Sequence, residues 1–341
     1  MIDLRSDTVT RPTAEMLDAM NSAPVGDDVF EEDPTINLLQ EKAADMFGME
    51  AALFCASGTM TNQIGIKVHT QPGDEVICHN QAHIYVYEGG GIMANSHASV
   101  RLVGSPDGLI SPAEVKAAIN PDNPHTARSR LIAIENTSNR CGGACFDFAA
   151  IREIGQLARA SGLAYHLDGA RLFNALVEST QSPSDYGKAF DSISICLSKG
   201  LGCPVGSLLI GERDFILEAR RVRKRFGGGW RQAGFLAAAG IYALDKHIDR
   251  LSEDHAKARV LGGCLGNQTY VKSVAPVQTN IVIFYLQETM AEDAFVATLR
   301  ERGVHCINLG HGRLRMVTHL DVSMSQIEQV CDILAGLKFQ S

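Results

Sequence analysis

Short apolar runs of strand length alternate with helical patterns through most of this chain, and that alternation limits its possible folds more than any other feature. The runs predicted to be strands are residues 51–55, 75–78, 130–134, 163–167, 192–196 and 207–210. Helical spacing follows several of them, as in residues 59–68 and 148–160. Strands that alternate with helices predict an α/β fold with a mostly parallel central sheet. Ligands of such sheets bind where strands end and loops lead into helices.

The pattern changes at about Lys246, where a charged helix is predicted over residues 246–261. Strand, helix, strand and helix patterns follow at residues 279–285, 291–302, 314–318 and 325–337. A length of 341 residues is typical of two domains that share a cleft. We therefore expect a large ligand-binding domain over residues 1–245 and a smaller C-terminal α+β domain over residues 246–341.

The charge balance excludes several classes of partner. With 31 basic and 39 acidic residues the net charge is −8, which argues against binding to nucleic acid or to an anionic membrane. No apolar run reaches the ~18 residues that a membrane-spanning helix needs. Nine cysteines, an odd number with no leader-like segment before them, favour reduced thiols and a cytoplasmic protein. Cys141 and Cys145 have no second Cys or His pair nearby, so no metal site is expected.

Lys199 is the first candidate for chemistry. It follows an apolar strand and precedes Gly200, Gly202, Pro204 and Gly206. A lysine in apolar surroundings loses its proton more easily, as a lysine that forms an imine must, and small neighbours leave room for a flat cofactor. Taken alone, the segment also fits a lysine that extends from a strand end into solvent.

Asp168 comes earlier in the chain, at the end of another predicted strand. On a strand, His166 and Asp168 point to one face and Leu167 to the other. A carboxylate there can pair with a protonated pyridine nitrogen and keep the ring an electron sink. The alternative is that Asp168 caps a helix beginning near Ala170. The presence of both Asp168 and Lys199 favours the cofactor.

Three further segments suit a phosphorylated cofactor and an amino acid. The Ser-Gly-Thr segment at 57–59 joins a strand to a helix and could bind an anion, although an ordinary capped helix looks the same. His83 could stack on a ring or shuttle a proton, although a lone histidine is more often structural. Arg313 and Arg315 lie on one face of a late strand, where they could bind a carboxylate or form a surface charge pair.

Ten short segments, spread nearly from end to end, form a recognisable series. They are Ile2-Asp-Leu-Arg-Ser-Asp-Thr-Val-Thr10, Gly26-Asp-Asp-Val29, Glu32-Asp-Pro-Thr35, Ser57-Gly-Thr-Met60, His83-Ile-Tyr85, Glu135-Asn-Thr137, His166-Leu-Asp-Gly-Ala-Arg171, Ser198-Lys-Gly-Leu-Gly202, Gly227-Gly-Gly229 and Arg315-Met-Val-Thr-His319. In this order they resemble the L-threonine aldolases of the β-eliminating lyase group, which are fold-type-I enzymes that use pyridoxal 5′-phosphate (PLP). Ten matches in the family's order are far more specific than any single one.

The resemblance implies a role for each matching position. Lys199 resembles the Schiff-base lysine, Asp168 the partner of the pyridine nitrogen, and His83 the ring stacked on the cofactor. The implied cofactor ligands are Gly58, Thr59, His83, Asp168, Arg171 and Lys199, with Lys224 and Arg231 reaching over from a neighbouring subunit. The implied substrate ligands are Ser6, Phe30, Tyr87, His125, Arg171 and Arg315. The resemblance thus implies a homotetramer whose active sites are shared between subunits.

The implied reaction is cleavage of L-threonine or L-allo-threonine into glycine and an aldehyde, with low specificity at Cβ. His83 and His125 are both candidates for the base, and the sequence does not choose between them. Phe30, Ser138 and Trp230 replace the tyrosine, histidine and methionine usual in the family, so substrate preference, phenylserine included, stays open. A β-eliminating lyase of aromatic amino acids and an aminotransferase are alternatives within PLP chemistry. A dinucleotide-dependent oxidoreductase is disfavoured because no G-x-G-x-x-G pattern follows a strand, and a PLP-binding regulator because no basic DNA-binding module is present.

Overall fold

The computed structural model describes residues 1–105 and 108–337. Its strands are β1 (Ile2–Asp3), β2 (Ala51–Cys55), β3 (Asp74–His79), β4 (Ser99–Val103), β5 (Arg128–Glu135), β6 (Ala164–Gly169), β7 (Ser192–Cys196), β8 (Ser207–Gly211), β9 (Val271–Val274), β10 (Ile281–Leu286), β11 (Val304–His305), β12 (Ile307–Gly310) and β13 (Arg313–Val317). Its α-helices are α1 (Ala14–Asn21), α2 (Pro34–Phe47), α3 (Gly58–His69), α4 (His83–Val86), α5 (Gly91–Ser96), α6 (Pro112–Ala118), α7 (Phe148–Ala160), α8 (Leu172–Leu176), α9 (Pro183–Ala189), α10 (Arg213–Arg225), α11 (Gly234–Lys246), α12 (Leu251–Gly266), α13 (Glu292–Glu301) and α14 (Met324–Ala335). None of these helices combines the length and hydrophobicity needed to cross a membrane.

Seven strands form the central sheet in the order β2-β8-β7-β6-β5-β3-β4. Neighbours from β7 to β4 pair in parallel, whereas β8 pairs antiparallel with both β7 and β2. Parallel neighbours need crossover connections, and here helices such as α7 and α9 supply them. The predicted α/β fold with a mostly parallel sheet is confirmed. The carboxyl ends of β5, β6 and β7 consequently meet at one edge of the sheet.

The two faces of the central sheet are covered by different helices. One apolar cluster joins the sheet to α2, α7, α9 and α11, and another joins the opposite face to α3 and α10. Strand β6 contributes to both faces, because Tyr165 and Leu167 enter the first cluster while His166 and Asp168 contact α3. Strand alternation therefore places Asp168 on the face that α3 covers.

The C-terminal part forms a separate antiparallel sheet in the order β12-β13-β10-β9, with a second apolar core that includes Phe284 and Phe295. Helix α12 packs against α14, β9 and β10. Ile2 and Leu4 also belong to this second core, and β1 pairs in parallel with β11. The start of the chain therefore packs with the C-terminal part rather than with the large predicted domain. The division at 245/246 stays a prediction, and residues 338–341 of its second domain lie outside the described residues.

The helix predicted over residues 246–261 is confirmed from Leu251 onward as part of α12, but its predicted start at Lys246 is wrong. Helix α11 ends at Lys246 and α12 begins at Leu251. Between them, the His247 ring lies 2.7 Å from the carbonyl oxygen of Leu201. This tertiary contact, which has no counterpart in the helical periodicity, lies at the break and brings residues 247–250 against the loop after Lys199.

Candidate active site

A cavity of about 430 Å³ lies at the carboxyl-end edge of the central sheet, beside the antiparallel sheet. It is lined by Ser6, Thr8, His83, Tyr87, Asn139, Arg140, Arg171, Lys199, Ile307, Asn308, Leu309 and Arg315. Six of these were predicted for the site from the sequence: Ser6, His83, Tyr87, Arg171, Lys199 and Arg315. The cavity lies where an α/β fold is expected to bind its ligand.

Lys199 lies in the loop between β7 and β8, three positions after β7 ends. Three side chains hydrogen-bond to successive carbonyl oxygens of this loop. Thr10 binds that of Lys199 at 3.0 Å, Arg250 that of Gly200 at 3.2 Å, and His247 that of Leu201 at 2.7 Å. The three partners come from distant parts of the chain. Because each carbonyl has its own partner, the backbone that carries Lys199 is held in one conformation.

Asp168 lies near the end of β6 and is 2% exposed. Its Oδ2 accepts a hydrogen bond from the Asn62 side-chain amide at 2.9 Å, and its Oδ1 accepts one from the Ala170 N–H at 3.2 Å. Helix α8 begins at Leu172 with Arg171 as its N-cap, so Asp168 is not the cap of that helix. These hydrogen-bond donors are neutral amides. A protonated ring nitrogen beside Asp168 would supply the positive charge that a buried carboxylate needs.

His83 is oriented by a buried glutamate. Glu88 Oε1 lies 2.9 Å from His83 Nδ1, and because a carboxylate only accepts, Nδ1 carries the proton and Nε2 is the free ring nitrogen. Asn62 donates to the same Glu88 oxygen over 2.9 Å, so one amide connects Glu88 with Asp168. Burial opposes a charged ring, but the hydrogen bond that His83 donates to Glu88 and the charge of Asp168 outweigh it and raise the pKa of His83.

Glu135 connects two loops that reach the cavity. Its Oε2 accepts the backbone N–H of His83 at 2.8 Å, and its Oε1 accepts the backbone N–H of Asn139 at 2.9 Å. Burial, together with the nearby charge of Asp168, raises the pKa of Glu135. Glu135 thereby ties the start of α4 to the loop after β5.

Arg171 and Asp7 form a buried ion pair with two hydrogen bonds of 2.8 and 2.7 Å. Burial alone would raise the pKa of Asp7, but Arg171 holds it well below its usual range. Arg315 lies nearby and donates to Asn139 Oδ1 at 2.8 Å and to the Arg5 carbonyl oxygen at 3.1 Å. Burial and the positive charge of Arg171 lower the pKa of Arg315 to about 10. A largely buried guanidinium whose partners are neutral is suited to bind a carboxylate.

The N-terminus of α3 offers a site for an anion. Ser57 is the N-cap, and the N–H groups of Gly58 and Thr59 have no partner inside a helix that begins there. A Cβ on Gly58 would lie 2.5 Å from Cys196 Sγ, so only glycine fits this approach. The buried hydroxyl of Ser207 lies 3.7 Å from the same Cβ position and has no hydrogen-bond partner among the described residues. A helix N-terminus beside a spare hydroxyl fits a phosphate group.

Lys224, Arg231 and Phe30 lie away from this cavity. Lys224 lines a surface cavity of about 730 Å³ along α10, Arg231 pairs with Asp27 at 2.9 Å, and Phe30 is 68% exposed. None of the three lines the cavity that contains Lys199. Their place in a neighbouring subunit's site stays a prediction, and all three are exposed in this chain.

His125 is also absent from the cavity. It is exposed in the loop before β5, whose eight residues extend roughly 25 Å to Glu135 at the cavity edge. Within one chain His125 therefore lies at the opposite edge of the sheet from Lys199, and only another subunit's site is open to it. Trp230, one of the departures from the family, packs edge-on against Phe54 with ring centroids 5.0 Å apart and does not line the cavity.

Six of the residues that build this site were not predicted from the sequence. They are Asp7, Asn62, Glu88, Glu135, Asn139 and Arg140. Each lies within or shortly after one of the ten recognised segments, which is the signal that could have found them. Their partners come from distant segments, and a polar residue beside a motif has no role until its partner is known.

The sequence model of the family described as "Beta-eliminating lyase" matches residues 3–289. The "Low specificity L-threonine aldolase" of Escherichia coli (strain K12) is 44% identical over 331 residues, which cover 97% of each chain. The "Probable low-specificity L-threonine aldolase 2" of Arabidopsis thaliana is 42% identical over 337 residues, covering 96% of this chain and 95% of that one. A threonine aldolase structure from Leishmania major matches with a TM-score of 0.85 at 21% identity, over 98% of this chain and 99% of that one. A serine palmitoyltransferase structure from Sphingomonas wittichii matches with a TM-score of 0.74 at 16% identity, over 98% and 86%. The two structural likenesses bear on the fold alone.

Proposed function

The chain belongs to the L-threonine aldolase family of beta-eliminating lyases and has the fold of fold-type-I PLP enzymes, and on that premise we propose that it cleaves L-threonine and L-allo-threonine into glycine and acetaldehyde. The observation that carries the proposal is the meeting of Lys199, His83, Arg171 and Arg315 in one cavity. A lysine can hold a cofactor aldehyde, a histidine can take a proton, and guanidinium groups can bind an amino-acid carboxylate.

The site residues fit PLP at both of its charged ends. Asp168 offers a buried carboxylate to the ring nitrogen, and the N-terminus of α3 with the unpartnered Ser207 hydroxyl suits the phosphate, which Gly58 and Thr59 would bind. Lys199 would hold the aldehyde carbon covalently. When bound, PLP draws electrons away from the substrate Cα, so that the bond to Cβ can break.

The substrate carboxylate is assigned to Arg315 with the help of Ser6 and Arg171. Arg171 is already neutralised by Asp7. Arg315 contacts only neutral acceptors, and its Nε is buried without a partner among the described residues. A carboxylate in the cavity therefore gains most from Arg315, while Arg171 adds positive charge beside it.

His83 is the proposed base for the β-hydroxyl proton. Its Nδ1–H is directed at Glu88, which leaves Nε2 to accept a proton. Carboxylates around the ring raise its pKa and so strengthen it as a base. The proton balance closes when Cα takes up a proton and glycine leaves. His125 stays the alternative base, and in that role it would have to come from another subunit.

We also propose a homotetramer with shared active sites, located in the cytoplasm. The proposal of shared sites is supported by three residues, Lys224, Arg231 and Phe30. They resemble positions that complete the active site of a neighbouring subunit, and they do not line the cavity of their own chain. No disulfide bond joins any of the nine cysteines in the described part of the chain, as a reducing compartment would keep them. Light scattering at assay concentration tests the assembly, and a fully active monomer would contradict it.

Product analysis tests the reaction itself. L-threonine added to the PLP-loaded enzyme should give glycine and acetaldehyde in equal amounts. Ammonia with a keto acid would instead identify β-elimination, and a keto acid formed only with an amino acceptor would identify an aminotransferase; either result overturns the proposal. Phenylserine belongs in the same assay, where glycine and benzaldehyde would extend the substrate range to an aromatic β-substituent.

A further inference from the structure

Arg140 adds a positive charge to the cavity that the proposed reaction on threonine does not use. Among the described residues, four cationic side chains line the cavity, Arg140, Arg171, Lys199 and Arg315, whereas no aspartate or glutamate lines it. Arg171 is neutralised by Asp7. Within residues 1–105 and 108–337, neither Arg140 nor Arg315 forms an ion pair with a carboxylate.

The guanidinium of Arg140 is held in place by Tyr87. Arg140 Nη1 donates to the Tyr87 hydroxyl over 2.6 Å, and Arg140 Cζ lies 5.5 Å from the centroid of the Tyr87 ring. Arg140 Nε is buried and has no hydrogen-bond partner in the described part of the chain. A guanidinium has five N–H donors, and Tyr87 receives one of them. Arg140 therefore has a defined position and several donors left for a ligand.

Threonine has too few negative charges to pair with all the cationic groups of this cavity. An amino acid brings one carboxylate, which Arg315 can bind, and Lys199 is committed to the cofactor. Arg140 and Arg315 line the same cavity. Burial and the charge of Arg171 lower the pKa of Arg315 most, and the positive charge of Arg140 adds to that effect. A second anion on the substrate would complement the remaining guanidinium.

We propose that Arg140, positioned by Tyr87, forms an anion subsite for the β-substituent, so that the substrates include β-hydroxy-α-amino acids with a carboxylate on Cβ. This inference rests on the proposed function and names a further substrate class for the same site. With L-3-hydroxyaspartate, the Cα–Cβ bond breaks and its electron pair stays on Cα. The hydroxyl proton passes to the base, the C=O bond of glyoxylate forms, and protonation at Cα gives glycine, with no oxidant or reductant involved.

Binding of L-aspartate and L-asparagine to the PLP-loaded enzyme tests the subsite directly. The two ligands have almost the same size and differ in charge, and neither has the β-hydroxyl that cleavage requires. Absorbance titration of the wild type should show L-aspartate bound about tenfold more tightly, the usual effect of a hydrogen bond to a charged group. Arg140→Gln should remove most of that preference, and Arg140→Lys should keep part of it.

Two further variants separate the subsite from general effects. Tyr87→Phe should weaken the preference for L-aspartate because it removes the hydroxyl that positions Arg140. Arg152→Gln, which removes an equal charge from the exposed face of α7, should leave the preference as in the wild type. The ratio of kcat/KM for L-3-hydroxyaspartate to that for L-3-hydroxyasparagine should change in parallel with these binding ratios.

The outcomes distinguish this inference from the proposed function. A wild type that binds both ligands equally, or an Arg140→Gln variant that keeps the wild-type preference, overturns the anion subsite. Failure of the proposed function appears separately, as wild-type enzyme that releases no glycine from L-threonine. The comparison of L-aspartate with L-asparagine needs no cleavage and remains informative in that case.

Discussion

Asn62 donates a hydrogen bond to Asp168 Oδ2 over 2.9 Å, although 106 positions separate the two residues. The same nitrogen donates to Glu88, so the Asn62 side-chain oxygen remains as an acceptor. His166 Nε2 lies 3.2 Å from that oxygen and must carry the proton, so His166 Nδ1 accepts from the Ser192 hydroxyl at 2.8 Å. Burial lowers the pKa of His166 to about 4 and keeps the ring neutral. Hydrogen bonds are therefore donated in series from Ser192 to His166, from His166 to Asn62 and from Asn62 to Asp168, which holds the Asp168 carboxylate in place from inside the protein.

Asn62→Leu should weaken both folding and cofactor binding. The change removes the shared donor of two buried carboxylates, which costs on the order of 3 kcal/mol in the free energy of unfolding. We expect PLP to bind at least tenfold more weakly, since Asp168 loses its support. Urea unfolding and PLP titration measure the two effects. In the control Asn120→Leu, which removes an amide bonded to Glu75 at 2.7 Å, stability should fall but PLP affinity should not; equal losses of PLP affinity in both variants would refute the role of Asn62.

Lys199→Ala should abolish covalent attachment of PLP while the protein still folds. In the wild type, borohydride should bleach the absorbance band of the bound cofactor and fix it to the protein. Peptide mass mapping should locate the adduct at Lys199. The control Lys116→Ala, on α6, should retain the adduct. An adduct at any other lysine of the wild type would sink the assignment.

Asp7→Asn should destabilise the protein by about 3–5 kcal/mol at neutral pH, because it leaves Arg171 buried without its counter-charge. The folded pKa of Asp7 is lowered beneath its unfolded value of about 3.9. The ionised Asp7 carboxylate therefore adds to the free energy of unfolding above about pH 4, and this contribution is lost as the pH falls further. Urea unfolding between pH 3 and pH 7 should show a shallower acid dependence in the variant. Asp18→Asn, on the exposed side of α1, should behave like the wild type, and an equal loss there would remove the special role of Asp7.

Glu88→Gln should move the acidic limb of the pH profile of kcat/KM to lower pH. The negative charge of Glu88 helps to raise the pKa of His83. Without that charge the protonated ring is less stable, its pKa falls, and the free base exists at lower pH. A shift of roughly one pH unit is the scale of one nearby charge. Glu153→Gln, on the exposed face of α7, serves as the control. An acidic limb that does not move in Glu88→Gln would mean that His83 is not the base.

L-threonine and L-allo-threonine should both be cleaved, and D-threonine should be inert. In the proposed site, the cofactor on Lys199 and the binding of the carboxylate by Arg315 would fix the substituents at Cα, whereas the proposed partner of the β-hydroxyl within this chain is His83. The Tyr87 hydroxyl is already engaged by Arg140. A hydrogen-bond difference of roughly 1 kcal/mol separates the epimers only about fivefold. Measured kcat/KM values for the two epimers should thus differ by roughly fivefold. A ratio beyond a few hundredfold would contradict this expectation and reveal a second partner for the hydroxyl.

The local sequence determined those helices and strands whose signals, apolar periodicity and capping residues, lie within a single segment. The predicted strands at 51–55 and 192–196 and the helix at 148–160 have the same bounds in the structure. Asp33, which directly precedes a proline, caps α2, with Oδ1 accepting the N–H groups of residues 35 and 36 at 3.1 and 3.0 Å. Periodicity and capping are properties of neighbouring residues, so the sequence alone places Lys199 and Asp168 at the ends of strands.

Tertiary structure decided which charged and polar groups meet at the cavity. Asp7 pairs with Arg171 across 164 positions, and Asn139 binds Arg315 across 176. It also placed His125 at the far edge of the sheet, although the family resemblance assigns it to the substrate. Local hydrophobic periodicity carries no information about contacts between residues so far apart in the sequence. The order of the strands in the central sheet and the packing of the two sheets decide which loops come together. Each charged side chain then pairs with a group on a loop that this packing brings close to it.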